Sequence, residues 1–323
     1  MNMNDFLPKV SVMIITYNQE DLIAETIESV ISQDYENLEI IVADDASTDR
    51  TVEIISDYVK RYPGKVVPVF NQKNLGITGN SNSAFFACTG ELIAVLGGDD
   101  LFLPGKISAQ VKLFKNLEVV LSYHSVEIFL HQTEEVFFTT NTTSNEDLND
   151  AYDIISKGGI PGASSVMVRR SACPGHGFDP QFPVVSDWIF YIEVAMRGRV
   201  EKLRGVYGRY RKHGKGASES TYKLLSESLR TLDVIQQRYP NDVRLRNACQ
   251  KGAYRYLLGE LYRQVVKTDQ GKVSILLDFM INQSSGLKRF FTKCISLFLR
   301  SHSVLLFLSG FFIRFKNVMK RLV

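Results

Sequence analysis

The sequence predicts an α/β protein: a mostly parallel sheet with helices on both faces, followed by a helical C-terminal region. Three observations carry this. Over the first 120 residues, β-rich apolar runs alternate with segments of helical spacing. The strand runs are continuously apolar, as parallel strands buried on both faces require. From residue 218 onward the pattern is helical only.

The elements read in order as follows. Residues 10–16 (VSVMIIT) form a first strand. Residues 20–33 then space Leu22, Ile23, Ile27, Val30 and Ile31 along one helical side. Residues 38–43 (LEIIVA) are a second strand, and 51–62 a helix with Val52, Ile55 and Val59 inward. A strand at 66–70, a helix at 79–88 and a strand at 91–96 follow. Residues 103–117 read as a helix with Ile107, Val111 and Phe114 on one face, and 119–123 return to strand. Between 124 and 215 the pattern loosens. It holds a polar loop (TTNTTSNEDLND), a strand at 163–169 and a helix at 187–197 carrying the only tryptophan. The switch to helix sets a boundary between residues 1–216 and 217–323.

A chain of 323 residues, 45% hydrophobic and 23% charged, has room for a sizeable core. A net charge of +3 predicts no nucleic-acid partner. Cys88, Cys173, Cys249 and Cys294 are far apart in sequence, so neither a zinc spacing nor a disulfide framework is readable, and a reducing compartment is expected. The opening MNMNDFLPKV lacks an apolar core, which predicts no secretory signal. The sequon at Asn141 then reads as a polar loop, and the expected location is cytoplasmic. No apolar run approaches the ~18 residues of a membrane span.

Residues 288–323 carry eight Lys/Arg and no Asp/Glu. On a helical wheel Arg289, Lys293 and Arg300 fall together, with Phe290, Phe291, Ile295, Leu297 and Phe298 on the other side. Such a helix reads as lying on an anionic membrane surface. The alternative is a helix docked on the protein's own core with its charges solvated.

In parallel sheets, ligands bind beyond the carboxyl ends of the strands. The residues there are Thr16-Tyr17-Asn18, Asp44-Asp45-Ala46-Ser47, Asn71 to Asn74, and Asp99-Asp100, a polar and acidic set. In AVLGGDDLFLP, an apolar run ends in two glycines and two adjacent aspartates that repel each other. A hard divalent cation relieves that repulsion, and needs only one or two carboxylates plus substrate phosphates. Side-chain-free positions 97 and 98 also let a bulky ligand approach the backbone. The alternative is a turn with exposed aspartates. A dinucleotide dehydrogenase is disfavoured, because ITYNQED after the first strand holds no glycine.

The run SVMIITYNQEDLIAETIESVISQDYENLEIIVADDASTDRT resembles the N-terminal signature of inverting family 2 glycosyltransferases of the GT-A fold, a Rossmann-like nucleotide-diphospho-sugar transferase fold. NLGITGNSNSAFFACTGELIAVLGGDDLFLPGK matches the family's later motifs, and the resemblance extends over about residues 9–216. It implies that Thr16, Tyr17 and Glu20 line a nucleotide pocket, that Asp45 bonds the base or ribose, and that Asp44 braces the turn. Lys73 and Asn74 would lie near the base, although Lys73 reads equally as a solvated charge. Asp49 reads rather as a helix cap.

Asp99 and Asp100 fall at the family's acidic metal motif, whose usual first aspartate is Gly97 here. The resemblance implies Asp100 on the metal, Mn²⁺ or Mg²⁺, with Asp99 shared between metal and ribose. Asp187 in SDW falls at the family's catalytic base; the alternative is a helix N-terminal charge. Trp188 reads either as core or as a platform for the acceptor sugar. RYRKHGKGAS resembles the family's loop over the diphosphate, so that Arg211 or His213 touches phosphate or metal; the alternative is a basic connector. The implied function is a metal-dependent inverting transfer from a nucleotide-sugar donor, UDP-sugar first, to a glycan or lipid-linked acceptor in bacterial polysaccharide synthesis. The competing reading is a GT-A module that holds nucleotide but has lost turnover.

Overall fold

The computed structural model describes residues 7–140, 147–214, 221–283, 286–299 and, piecewise, 301–309. The sequon at Asn141 and everything from residue 310 lie outside the described residues, as do the side chains of Arg289 and Arg300. The chain divides into two compact units, Met1–Glu219 and Ser220–Val323.

The first unit is built on β1 (Val10–Thr16), β2 (Leu38–Asp44), β3 (Val66–Phe70) and β4 (Leu92–Gly97), in the spatial order β3-β2-β1-β4 and all parallel. β2 is buried at every position and β1 at all but one, which is why their sequences are continuously apolar rather than alternating. Helices α1 (Ile23–Ile31), α2 (Thr51–Arg61) and α3 (Gly76–Ala87) are the crossovers. The register aligns Thr16 with Asp44, Ile15 with Gly97, and Asp44 with Phe70. The chain therefore leaves β1, β2, β3 and β4 at one level, and the residues after those strands share one edge.

The second half of the unit is mixed. It contains β5 (Leu101–Phe102), α4 (Lys106–Leu113), β6 (Val119–Leu130), β7 (Val136–Thr139), α5 (Ala151–Lys157), β8 (Met167–Arg169), α6 (Ser186–Ala195) and β9 (Arg199–Lys212). β8 joins β4 to β6 by antiparallel pairing on both sides, β9 runs parallel to β6, and β5 closes the order antiparallel to β9. The α/β class with its helical extension holds, and the parallel character belongs to the first four strands.

Four boundaries differ from the sequence reading. Leu101–Phe102 pairs with β9, and left-handed Gly105 (φ 77°) stands before the helix, so α4 is shorter than 103–117. The strand expected at 119–123 continues to Leu130 because β9 supplies a partner along its whole length. Residues 163–165 form a 3₁₀ turn after Gly162 (φ 137°), leaving only 167–169 as strand. α3 starts three residues earlier than expected, since side chains from other elements satisfy its first N–H groups.

The second unit packs α7 (Thr221–Arg238), α8 (Val243–Val266), α9 (Gln270–Gln283) and α10 (Gly286–Leu299) around Leu225, Leu257, Leu261, Val273, Leu277 and Met280. Asp242 caps α8, its carboxylate accepting the Leu245 N–H at 2.8 Å. Among the described residues no helix is long and apolar enough to cross a membrane. All four cysteines are free.

Candidate active site

The carboxyl edge of β1–β4 carries three linked groups of polar residues. The first laces the β1 and β2 ends together. Asp44 is fully buried and accepts hydrogen bonds from the backbone N–H (2.9 Å) and hydroxyl of Ser47, bracing a turn through left-handed Ala46 (φ 59°). The Asn18 amide oxygen accepts Thr48 N–H at 2.8 Å, and the Asn18 backbone N–H donates to Ser47 Oγ at 2.8 Å. Glu20 accepts Arg50 N–H at 3.0 Å, and Asp49 accepts Thr51 N–H at 3.0 Å, so both serve the start of α2. Thr16 is buried, whereas Tyr17 stands 46% exposed beside this loop.

The second group centres on Asp45, only 3% exposed. Its carboxylate accepts N–H groups from Leu75 (2.8 Å) and Gly76 (2.9 Å), and the Asn71 amide (3.1 Å). It thus serves as the acidic cap of α3, satisfying orphan donors and the positive helix end. Asn80 on α3 donates to the carbonyls of Thr16 (3.2 Å) and Ala43 (3.0 Å), pinning the helix to the strand ends. Asn74 accepts Gly76 N–H at 3.1 Å, and both Lys73 and Asn74 are exposed.

The third group is the Gly97–Asp100 turn. Thr26 of α1 donates to the carbonyls of Gly98 (2.9 Å) and Asp100 (3.0 Å). A Cβ at Gly98 would meet Gln19 Oε1 at 2.3 Å and Thr16 at 2.8 Å, so the space there belongs to the β1 loop rather than to a ligand. A Cβ at Gly97 would meet Asp99 Oδ1 at 2.8 Å, so a side chain there would require the Asp99 carboxylate to shift.

The end of β9 holds the two aspartates. Arg211 is 3% exposed; its N–H donates to Asp100 Oδ1 (3.0 Å) and its Nε to the Asp99 carbonyl (2.8 Å). Its Nη2 pairs with Glu25 at 2.5 Å, Nη1 lies 3.2 Å from His131 Nδ1, and the guanidinium covers the Phe129 ring at 4.6 Å. His213 Nε2 lies 2.9 Å from Asp99 Oδ2. Burial, then the neighbouring Asp99 charge, raise the Asp100 pKa well above the carboxylate range. Beside this turn, Leu130, His131, Gln132, Thr133, Lys212, His213 and Gly214 line a cavity of about 280 Å³.

For a cation, the Asp99–His213 pair sets an oxygen and a nitrogen donor side by side. Among the described residues no three His, Cys, Asp or Glu side chains converge as a closed cage. A cation there would need substrate oxygens to complete its shell, as ions held by one or two carboxylates and phosphates do.

Asp187 opens α6 one residue after Ser186, whose hydroxyl accepts Thr78 Oγ1 at 2.8 Å; Thr78 also bonds the Phe182 carbonyl at 2.6 Å. Thr78 lies in the first turn of α3, the turn that Asp45 caps, so α3 carries Asp187 to the same edge. Asp187 is open to solvent, yet surrounding protein desolvates its carboxyl and lifts its pKa to about 6. Trp188 N–H donates to this carboxylate at 2.8 Å. Trp188 is 6% exposed, so its ring packs in the interior instead of forming a platform. Sequence reasoning missed Glu25, His131, Thr26 and Thr78. Glu25 reads locally as an outward helix charge, and its partner is 186 positions away.

The mixed sheet and its acidic carboxyl edge define a nucleotide-sugar transferase fold of the GT-A type. The chain belongs to glycosyl transferase family 2, whose description matches residues 11–172. An uncharacterized Mycobacterium tuberculosis protein is 32% identical over 216 residues, 66% of this chain; the match spans 61% of that relative's length. Escherichia coli UDP-Glc:alpha-D-GlcNAc-diphosphoundecaprenol beta-1,3-glucosyltransferase WfaP is 30% identical over 70% of this chain and 86% of its own. S. aureus TarS 1–349, solved with UDP-GlcNAc, superposes with a TM-score of 0.67 over 92% of this chain and 90% of that one, at 16% identity. The Pyrobaculum calidifontis mannosyltransferase PcManGT, solved with GDP-Man and Mn²⁺, gives 0.60 over 94% and 87%, also at 16% identity.

Proposed function

We propose that the protein is a metal-dependent inverting glycosyltransferase. It moves a hexosyl or hexosaminyl group from a UDP-sugar to a glycan or lipid-linked acceptor in cell-surface polysaccharide synthesis. The observation that carries this reading is the separation of carboxylates at one sheet edge. Asp99 and Asp100 sit with Arg211 and His213, while Asp187 stands on another element, open to solvent and with its pKa near 6. Asp187 takes the proton of the acceptor hydroxyl as that oxygen bonds the anomeric carbon, and the bond from that carbon to the nucleoside diphosphate breaks. A base near neutrality suits this task. Arg211 and His213 hold the acidic turn in place on one side, and Thr78 holds the start of α6 on the other. A divalent cation held at Asp99 and His213, with substrate oxygens completing its shell, would supply positive charge for the leaving diphosphate.

Thr16, Tyr17, Glu20, Asp45, Lys73 and Asn74 form the nucleotide end of the site. Asp45 acts there through α3 and Glu20 through α2, while Tyr17 offers the exposed ring. The names of WfaP and TarS's bound sugar nucleotide support a UDP donor, and WfaP's acceptor supports a lipid diphosphate. The basic tail at 288–323 supports a peripheral position on the inner membrane face.

The test is thermal melting with UDP, GDP, CMP and NAD, each with and without Mn²⁺, followed by a transfer assay with UDP-glucose and UDP-GlcNAc. A UDP shift that requires Mn²⁺, with transfer, is the expected result. A shift without any transfer to lipid-linked or glycan acceptors would favour the module that only binds nucleotide.

A further inference from the structure

The charge of the chain is divided between its units. Residues 1–219 carry 20 Lys/Arg against 29 Asp/Glu, while residues 220–323 carry 18 against 6. The second unit is therefore strongly basic although the whole chain is nearly balanced. The excess is not confined to the tail, since residues 220–287 hold ten Lys/Arg against the same six acids.

The described helices of this unit also expose apolar side chains in rows. On α8, Tyr254, Leu258 and Tyr262 follow one another at intervals of four residues, 36%, 41% and 46% exposed. Lys251 and Arg255, both exposed, lie on the same helical side. On α9, Ile275 and Phe279 are 59% and 41% exposed at the same interval. The two helices form a hairpin that turns at left-handed Thr268 (φ 57°). Tyr262 and Ile275 stand about six and seven residues from that turn, Leu258 and Phe279 about ten and eleven. At ~1.5 Å per residue the members of each pair are level along the hairpin. On α10, Ile295 and Leu297 are 48% and 77% exposed, with exposed Lys293 one turn before Leu297.

We infer that the outer face of the α8–α9 hairpin, with α10, is a docking surface for an anionic lipid bilayer. This rests on the membrane placement proposed above and extends it from the tail to the folded helices. Amphipathic faces that combine Tyr and aliphatic side chains with flanking Lys/Arg are built for the interface of a negatively charged bilayer. A second copy is the poorer occupant, because it would bring one basic face against another.

The test uses the full chain and flotation with vesicles of phosphatidylcholine alone or with about one-third phosphatidylglycerol, a composition at which basic clusters bind measurably. Three variants are compared: Y254S/L258S/Y262S, K251E/R255E, and deletion of residues 288–323. The charge-reversal pair leaves the core untouched and keeps the test meaningful if the triple variant melts early. The expected result is binding only to the anionic vesicles, weakened about tenfold or more by each of the first two variants and further by added salt. Full binding by both, with release on deletion of 288–323, would leave α10 and the tail beyond it as sole anchor and overturn the α8–α9 docking face while sparing the membrane placement. Binding equal to wild type by all three would overturn both the docking face and the anchoring role of 288–323. Self-association that the triple variant abolishes, without vesicle binding, would make the face an interface between copies and overturn the inference.

Discussion

The two ends of the parallel sheet treat some of their carboxylates in opposite ways. At the amino end, Glu39 of β2 is 6% exposed and fully engaged. Its oxygens receive Ser11 Oγ (2.5 Å), Thr89 N–H (2.7 Å) and the Lys9 ammonium (2.5 Å). Burial opposes its ionisation, but the bonds from Lys9, Ser11 and Thr89 outweigh it and hold the pKa at about 2. At the carboxyl end Asp44 and Asp45 are bonded in the same manner, but at Asp187 and Asp100 burial dominates instead. It lifts Asp187 to about 6, and with the Asp99 charge it lifts Asp100 as well. The first carboxylate is satisfied by the protein and stabilises it. Asp187 and Asp100 are left under-compensated, the condition expected of groups that act on a ligand.

The sharpest way to break this contrast is Asp187→Asn. If Asp187 is the base, kcat falls about a thousandfold, in the range of a lost general base, while the UDP-induced melting shift is unchanged. The wild-type rate should rise with pH through an apparent pKa near 6, because only the ionised carboxylate accepts a proton. A kcat within threefold of wild type would return Asp187 to being a charge at a helix start.

Next is Glu39→Gln. A carboxyl held at about 2 against an unfolded value near 4.5 contributes about 3 kcal/mol at pH 7. Because the folded pKa is the lower one, that contribution is complete above pH 4.5 and disappears as pH falls toward 2. Denaturant unfolding should therefore find the variant less stable by about 2–3 kcal/mol at pH 7 and nearly equal to wild type near pH 2. A pH-independent difference would show that packing, not ionisation, is what Glu39 supplies.

The parallel half of the fold was legible because full burial leaves an uninterrupted apolar run, as in VSVMIIT and LEIIVA. The site was legible where it follows such a run directly. Thr16, Asp44, Asp45, Asp99 and Asp100 all stand at the level that the strand register defines. β9 was not legible: RVEKLRGVYGRYRK is largely polar, and only three of its fourteen positions are buried. Its strand character comes from β6, a partner that no local window contains. The same holds for side chains whose task is set by distant neighbours. Asp45 reads as a nucleotide ligand until α3 is seen resting on it, and Arg211 reads as a phosphate contact until its guanidinium is found buried among Asp99, Glu25 and His131.

That last cluster yields the smallest expected effect and the finest test of the contrast. Arg211 keeps the under-compensated turn in place while its own charge is met from outside by Glu25, whose side chain is 52% exposed. Glu25→Gln retains an oxygen acceptor but removes the charge. It should not unfold the chain, because Arg211 still donates to the Asp99 carbonyl and to Asp100. What changes is the aim of the acidic turn. The concentration of Mn²⁺ needed for the UDP shift should rise about tenfold, the scale of one charge-assisted hydrogen bond, with little change in the melting point of the free protein. Glu25→Asp keeps the charge and should recover part of the loss. If Glu25→Gln instead lowers the free protein's melting point and leaves the Mn²⁺ requirement alone, the pair belongs with Glu39 as scaffold. The division between a satisfied end and a poised end would then stop at Asp99 and Asp100 themselves.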